Sequence, residues 1–179
     1  MNDILRKRKP KRQAGFTLLE LMIAVLVLVF GLLSITALFA TAIGNNGRSR
    51  LDSTATMLSQ SVIEQITAVL ARGGPSAITD CGQPPTTWNI DTSVGGANLR
   101  GSSIDFTQTS PPAGYQMNFV VCNGGGEAGT QAQYDVRWNI SQVSTNSYLV
   151  TVAARPSGMQ AGRFTFALPV TLRTFVGPQ

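Results

Sequence analysis

Apolar and polar positions fall into four regimes along the chain. Residues 1–15, MNDILRKRKPKRQAG, are polar, basic and interrupted by Pro10. Residues 16–43 are predominantly apolar, and Glu20 is their one charge. As a helix these 28 residues reach about 42 Å against a hydrocarbon core of roughly 30 Å, so they are long enough to span a bilayer. In the third regime Leu51, Ala55, Leu58, Val62, Ile66 and Val69 step by 4, 3, 4, 4 and 3, which is a single apolar stripe on a helix. Ser53, Ser59, Gln60, Glu64 and Gln65 fill much of the rest of that helix. No proline occurs between Pro10 and Pro75, and RGGP at 72–75 is a helix stop. GNNG at 44–47 is the one weak point, where a break or local unwinding is expected.

Residues 73–114 are rich in Gly, Pro, Ser and Thr and read as an irregular connection. The period then becomes two. YQMNFVVC (115–122), YDVRWNISQV (134–143), YLVTVAARP (148–156) and RFTFALPVTLRTF (163–175) alternate between apolar and polar, as half-buried strands do. Tyr134, Val136, Trp138 and Ile140 share one face, with Asp135, Arg137, Asn139 and Ser141 on the other. Short connections make these runs an antiparallel meander, and Pro169 places the last strand at an edge. The helix stripe and the apolar sheet face are complementary surfaces. The expected fold is α+β: a long N-terminal helix, membrane-spanning in its first half, packed through its second half on a four-stranded antiparallel sheet. The expected division is 1–15 leader, 16–43 span, 44–72 amphipathic helix and 73–179 globular domain.

Charge sharpens this picture. Arg6, Lys7, Arg8, Lys9, Lys11 and Arg12 face only Asp3, so the leader alone carries the formal net charge of +5. From Phe16 onward eight arginines balance eight carboxylates, which argues against a nucleic-acid-binding surface. A basic leader before an apolar span predicts a cytoplasmic N-terminus. The chain has no His and only two cysteines, Cys81 and Cys122. In an exported chain the two form either one disulfide or two buried thiols; a metal centre is not expected. Closing a loop of about 42 residues would remove roughly 4 kcal/mol of unfolded-chain entropy. The carboxylates are scattered singly and no Ser/His/Asp or Cys/His set can be built, so no catalytic residues, no enzyme activity and no cofactor are expected. GGGEAG (124–129) has the spacing of a dinucleotide loop but leads into a strand pattern rather than a helix, and reads as a hairpin loop.

KRQAGFTLLELMIAVLVLVFG closely resembles the N-terminal signature of type IV prepilins and pseudopilins: a basic leader ending in Gly, then Phe, then an apolar helix with an acid at the fifth mature position. The matching residues are Lys11, Arg12, Gly15, Phe16 and Glu20. The resemblance implies that prepilin peptidase cuts between Gly15 and Phe16 on the cytoplasmic side and methylates the new amino group of Phe16. It implies a subunit held in the inner membrane with its C-terminal domain periplasmic, later assembled with major and minor pilins into a pilus or pseudopilus. A secretory signal peptide ending at ATA (40–42) is the competing reading, but its apolar region would be about 25 residues against the usual 7 to 15 or so. Thr17 and Glu20 also have capping-box spacing, which needs no pilus. A carboxylate in hydrocarbon is costly and ordinarily has a partner or a function. The amine released on Phe16 of a neighbouring subunit is the expected partner of Glu20.

Within the family, Ala37 stands where major pilins typically carry proline, and 57 residues follow Cys122, where major pilins often pair cysteines near the C-terminus. These departures look more like a minor pilin of the PilV kind, a type IV pilus modification protein. A type II secretion pseudopilin and a bitopic membrane-anchored binding module are the alternatives.

Overall fold

The computed structural model describes residues 15–122, 131–157 and 168–177. The chain divides into two compact units, Met1–Gly44 and Asn45–Gln179. A single helix, α1 (Leu18–Arg72, 55 residues), contributes to both. It runs without interruption through 44–47, where the sequence predicts a break. The two glycines there cost about 1 kcal/mol each relative to alanine, which is too little to open a helix that continues on both sides with no proline to remove an N–H. The stop at its far end is where the sequence puts it. Gly73 and Gly74 take φ of 72° and 110°, and the Gly73 N–H closes the last turn on the Val69 carbonyl at 2.7 Å.

In the second unit, β1 (Ala77–Thr79) and β2 (Thr87–Asn89) form one short ribbon, and β4 (Leu99–Arg100) and β5 (Ser103–Ile104) another. The main sheet contains β3 (Gly95–Gly96), β6 (Gln116–Cys122), β7 (Gln131–Ser144), β8 (Ser147–Ser157) and β9 (Val170–Val176). β6, β7, β8 and β9 are the four predicted strands, joined as an antiparallel meander. β9 starts just after Pro169 and pairs only with β8 among the described residues. Tyr134, Val136, Trp138 and Ile140 are all buried, and they pack with Val150, Val152, Ala154 and Met117 against Ala55, Val62 and Ile66 of α1. Each such Val, Ile or Met side chain contributes roughly 1.5–3 kcal/mol on full burial. The buried line on the helix is Ala55, Ser59, Val62 and Ile66. Leu51 and Leu58 flank it half-buried. Ser59 is therefore a core residue and not part of the polar remainder; it and Ala55 are small side chains that fill the contact without bulk.

Residues 73–114 are not simply a connection. They supply β1 to β5, and part of the segment covers the face of the sheet opposite the helix, where Ala97 and Ile104 pack on Ala153, with Phe106 beside them. Gly96 makes this approach possible. Its φ is 121°, and a Cβ there would lie 2.4 Å from the Trp138 carbonyl oxygen. Below this layer Asp135 and Arg137 are both buried and paired at 2.9 Å, and Arg155 reaches the same carboxylate at 3.2 Å. Arg137 Nη1 also donates to the Gln108 carbonyl at 2.7 Å. The Phe106 ring takes both guanidiniums, with Cζ of Arg137 5.0 Å and Cζ of Arg155 4.5 Å from its centroid. The polar face read from the alternation thus carries a second layer. Asn139 of the Asn-Ile-Ser sequence donates its Nδ2 to the Ala97 carbonyl at 2.9 Å.

Asp80 organises the turn after β1. Its carboxylate accepts from the N–H of Gly82 at 3.0 Å, the N–H of Thr86 at 2.8 Å and the Trp88 indole at 3.0 Å. Burial works against its ionised form, but the donors from Thr86, Trp88 and Gly82 outweigh it and hold its pKa below the ordinary aspartate value. Next to it, Cys81 is joined to Cys122 at the end of β6 by a disulfide. The glycine motif at 124–129, the leader up to residue 14 and the 163–167 part of the last predicted run lie outside the described residues.

Candidate processing and assembly site

Of the N-terminal signature residues, Gly15, Phe16 and Glu20 lie at the start of α1, and Lys11 and Arg12 lie outside the described residues. Gly15, Phe16 and Thr17 precede the helix, and Phe16 is 90% exposed. A Cβ placed on Gly15 would meet nothing within 4 Å, so the packing of the chain itself does not require glycine there. Thr17 is the N-cap. Its Oγ1 accepts from the Glu20 N–H at 3.3 Å, while the Glu20 Oε2 accepts from the Thr17 N–H at 2.9 Å and from the Thr17 hydroxyl at 3.1 Å. This is the reciprocal capping box that Thr-x-x-Glu spacing predicts. Among the described residues the Glu20 carboxylate accepts through Oε2 alone, and Oε1 has no partner. The carboxylate also lies at the positive end of the helix dipole.

From Phe16 to Ile43 every described side chain is exposed, including Leu19, Leu26, Phe30, Leu33 and Phe39. α1 is the one helix among the described residues long and apolar enough to cross a membrane. The few hydroxyls in this stretch are satisfied internally. Ser34 Oγ donates to the Phe30 carbonyl, Thr36 Oγ1 to Leu32 and Thr41 Oγ1 to Leu38, each at 2.8 Å. In a solvent that offers no hydrogen bonds this arrangement costs little. Glu20 is thus the only ionisable group of the segment, and among the described residues only one of its carboxylate oxygens is engaged.

Residues 10–43 match the family model of the prokaryotic N-terminal methylation motif. The N-terminal segment is type IV prepilin-like. The match spans the basic end of the leader, the Gly15–Phe16 junction, Glu20 and the apolar helix as far as Ile43. No curated protein and no solved structure matches the chain. The prepilin-like segment and an α+β fold with one long N-terminal helix on antiparallel strands are the arrangement that the sequence resemblance implied. A single N-terminal apolar helix with this motif is consistent with membrane anchoring.

Proposed function

We infer that the protein is a minor pilin subunit of a type IV pilus, of the PilV type. On this reading residues 1–15 are a leader removed by prepilin peptidase between Gly15 and Phe16. Phe16 is then N-methylated, residues 16–43 hold the subunit in the inner membrane with its N-terminus cytoplasmic, and 73–179 fold in the periplasm. The observation that carries the reading is the methylation motif at 10–43. It is supported by a Gly15–Phe16 junction that lies outside the helix, in exposed backbone, where a peptidase needs its substrate. Pilin-type proteins are structural, and the role of this one is to contribute a helix to a filament, in initiation, adhesion or motility.

Glu20 is the assembly residue. In a bundle of staggered parallel helices its Oε1, which has no partner among the described residues, meets the cationic amine of a neighbour's Phe16, an amine that exists only after cleavage. Leaving one of two buried charges unpaired costs on the order of 3–5 kcal/mol, so the pair selects the axial stagger. The first test is the intact mass of the protein extracted from membranes. Loss of residues 1–15 plus one methyl group supports the reading, and an unprocessed N-terminus refutes it. Gly15→Val should leave the leader attached, and Glu20→Ala should be cleaved yet absent from pili. Pilus or secretion failure in a deletion strain separates the pilin from a type II secretion pseudopilin.

A further inference from the structure

Among the described residues β9 is an edge strand, and its outer side carries features of a docking site. Register pairs Leu149 with Phe175, Thr151 with Arg173 and Ala153 with Thr171. Val176, packed in the core, fixes the opposite parity, so Thr171, Arg173 and Phe175 share the face away from the helix. The layer built from Ala97, Ile104 and Phe106 covers that face over Ala153 and the Asp135–Arg137 pair, in the middle of the sheet. It leaves the β9 margin bare: Phe175 is 72% exposed, Arg173 is exposed and Leu149 is half-buried. Among the described residues β9 has a neighbour on one side only, and Arg173 has no ion-pair partner.

Natural sheets guard a free edge with charge, proline or a short strand. Here Pro169 precedes the strand, and the one charge is a single arginine at its middle. In-register antiparallel pairing of β9 with a second copy would set Arg173 opposite itself, and like charges directly opposite are destabilising. Opposite charges in the same position are favourable, and an apolar residue two places along would lie against Phe175. We propose that the free edge of β9 is a docking site for an extended strand from a different protein chain, one carrying a carboxylate opposite Arg173 and an apolar residue two positions from it opposite Phe175. Backbone pairing along the edge supplies affinity, and Arg173 and Phe175 supply selection. The site does not depend on how the N-terminus is processed.

The test uses the full-length protein in detergent micelles and short synthetic peptides of alternating valine and threonine with either glutamate or lysine at the centre, read by fluorescence anisotropy. The glutamate peptide should bind at least about fivefold more tightly than the lysine peptide, in line with a favourable against an unfavourable cross-strand charge pair. Arg173→Glu should invert that preference, and Phe175→Ser should weaken the glutamate peptide while leaving the thermal transition of the protein in place. N-methylation of alternate peptide amides should abolish binding. Equal binding of both peptides, no binding of either, failure of Arg173→Glu to invert the order, or self-association of the protein through β9 would overturn the proposal.

Discussion

The two halves of α1 have the same backbone and opposite environments. Between Phe16 and Ile43 no described side chain is buried, and the hydroxyls of Ser34, Thr36 and Thr41 bond to their own helix. Between Asn45 and Arg72 one line of side chains disappears into a core, and Tyr134 of β7 reaches across to the Leu51 carbonyl at 3.3 Å. Helix formation is common to both, so it discriminates nothing. What separates them is the angular spread of apolar residues: all round in the exposed half, which suits an apolar medium, and one stripe where a sheet is the partner. The second half owes its order to tertiary packing, and the first has no such packing among the described residues.

The sharpest way to break this contrast is to place the same charge in each half. Val62→Asp buries a carboxylate among Tyr134, Val136 and Val152 and should destabilise the second unit by roughly 4 kcal/mol or more, read as a lost urea transition of tryptophan fluorescence. Leu28→Asp should leave that transition where it is and instead cost about 3 kcal/mol of membrane insertion, seen as a smaller membrane fraction. If both variants unfolded the sheet, the two halves would not be independent in the way their packing indicates.

Next in size is Asp135→Asn, which strands the buried Arg137 and should cost about 3–5 kcal/mol on the same urea transition. Asp135→Leu combined with Arg137→Met should recover most of that loss. Asp80 gives a pH signature confined to the second unit. Its folded pKa is depressed, so its contribution is complete above the unfolded value of about 4 and is lost as pH falls through the lower folded value. Asp80→Asn should therefore lower thermal stability at neutral pH by about 1–3 kcal/mol and flatten the acid limb of the stability curve. Smallest is Thr17→Ala, worth about 1 kcal/mol at the helix start. It should raise amide exchange at residues 18–21 by about fivefold and leave the second unit untouched.

Much of this organisation was legible in the residues. The helix ends at Arg72 because Gly73 and Gly74 follow, and four alternating runs became four adjacent strands. The capping box was legible for the same reason: Thr17 and Glu20 act within one turn, and local chemistry depends on spacing alone. The second layer was not. β3, β4 and β5 are two residues each, too short to show a period, and their placement depends on a distant close approach at Gly96. Alternation along β7 distinguishes two faces but not water from a polar layer, so it places Asp135 and Arg137 opposite the apolar face without showing that both are buried. Ser59 was misread because composition alone does not reveal that a helix position needs to be small. The arginine and phenylalanine of the β9 margin carried no signal until register placed them on one face beyond the covering layer.

The ion cluster under Phe106 has a consequence for how the sequence can drift. Arg137 and Arg155 share the Asp135 carboxylate, so a change at Asp135 takes the partner from two cations, and a change at Arg137 leaves Asp135 with the half-exposed Arg155 alone. Single steps away from the cluster are closed, whereas a joint replacement by apolar residues is open. Among relatives these positions should therefore covary, changing together or not at all, and Phe106 should follow them despite its distance along the chain. The neighbouring Thr109, exposed and outside the cluster, is free to vary on its own.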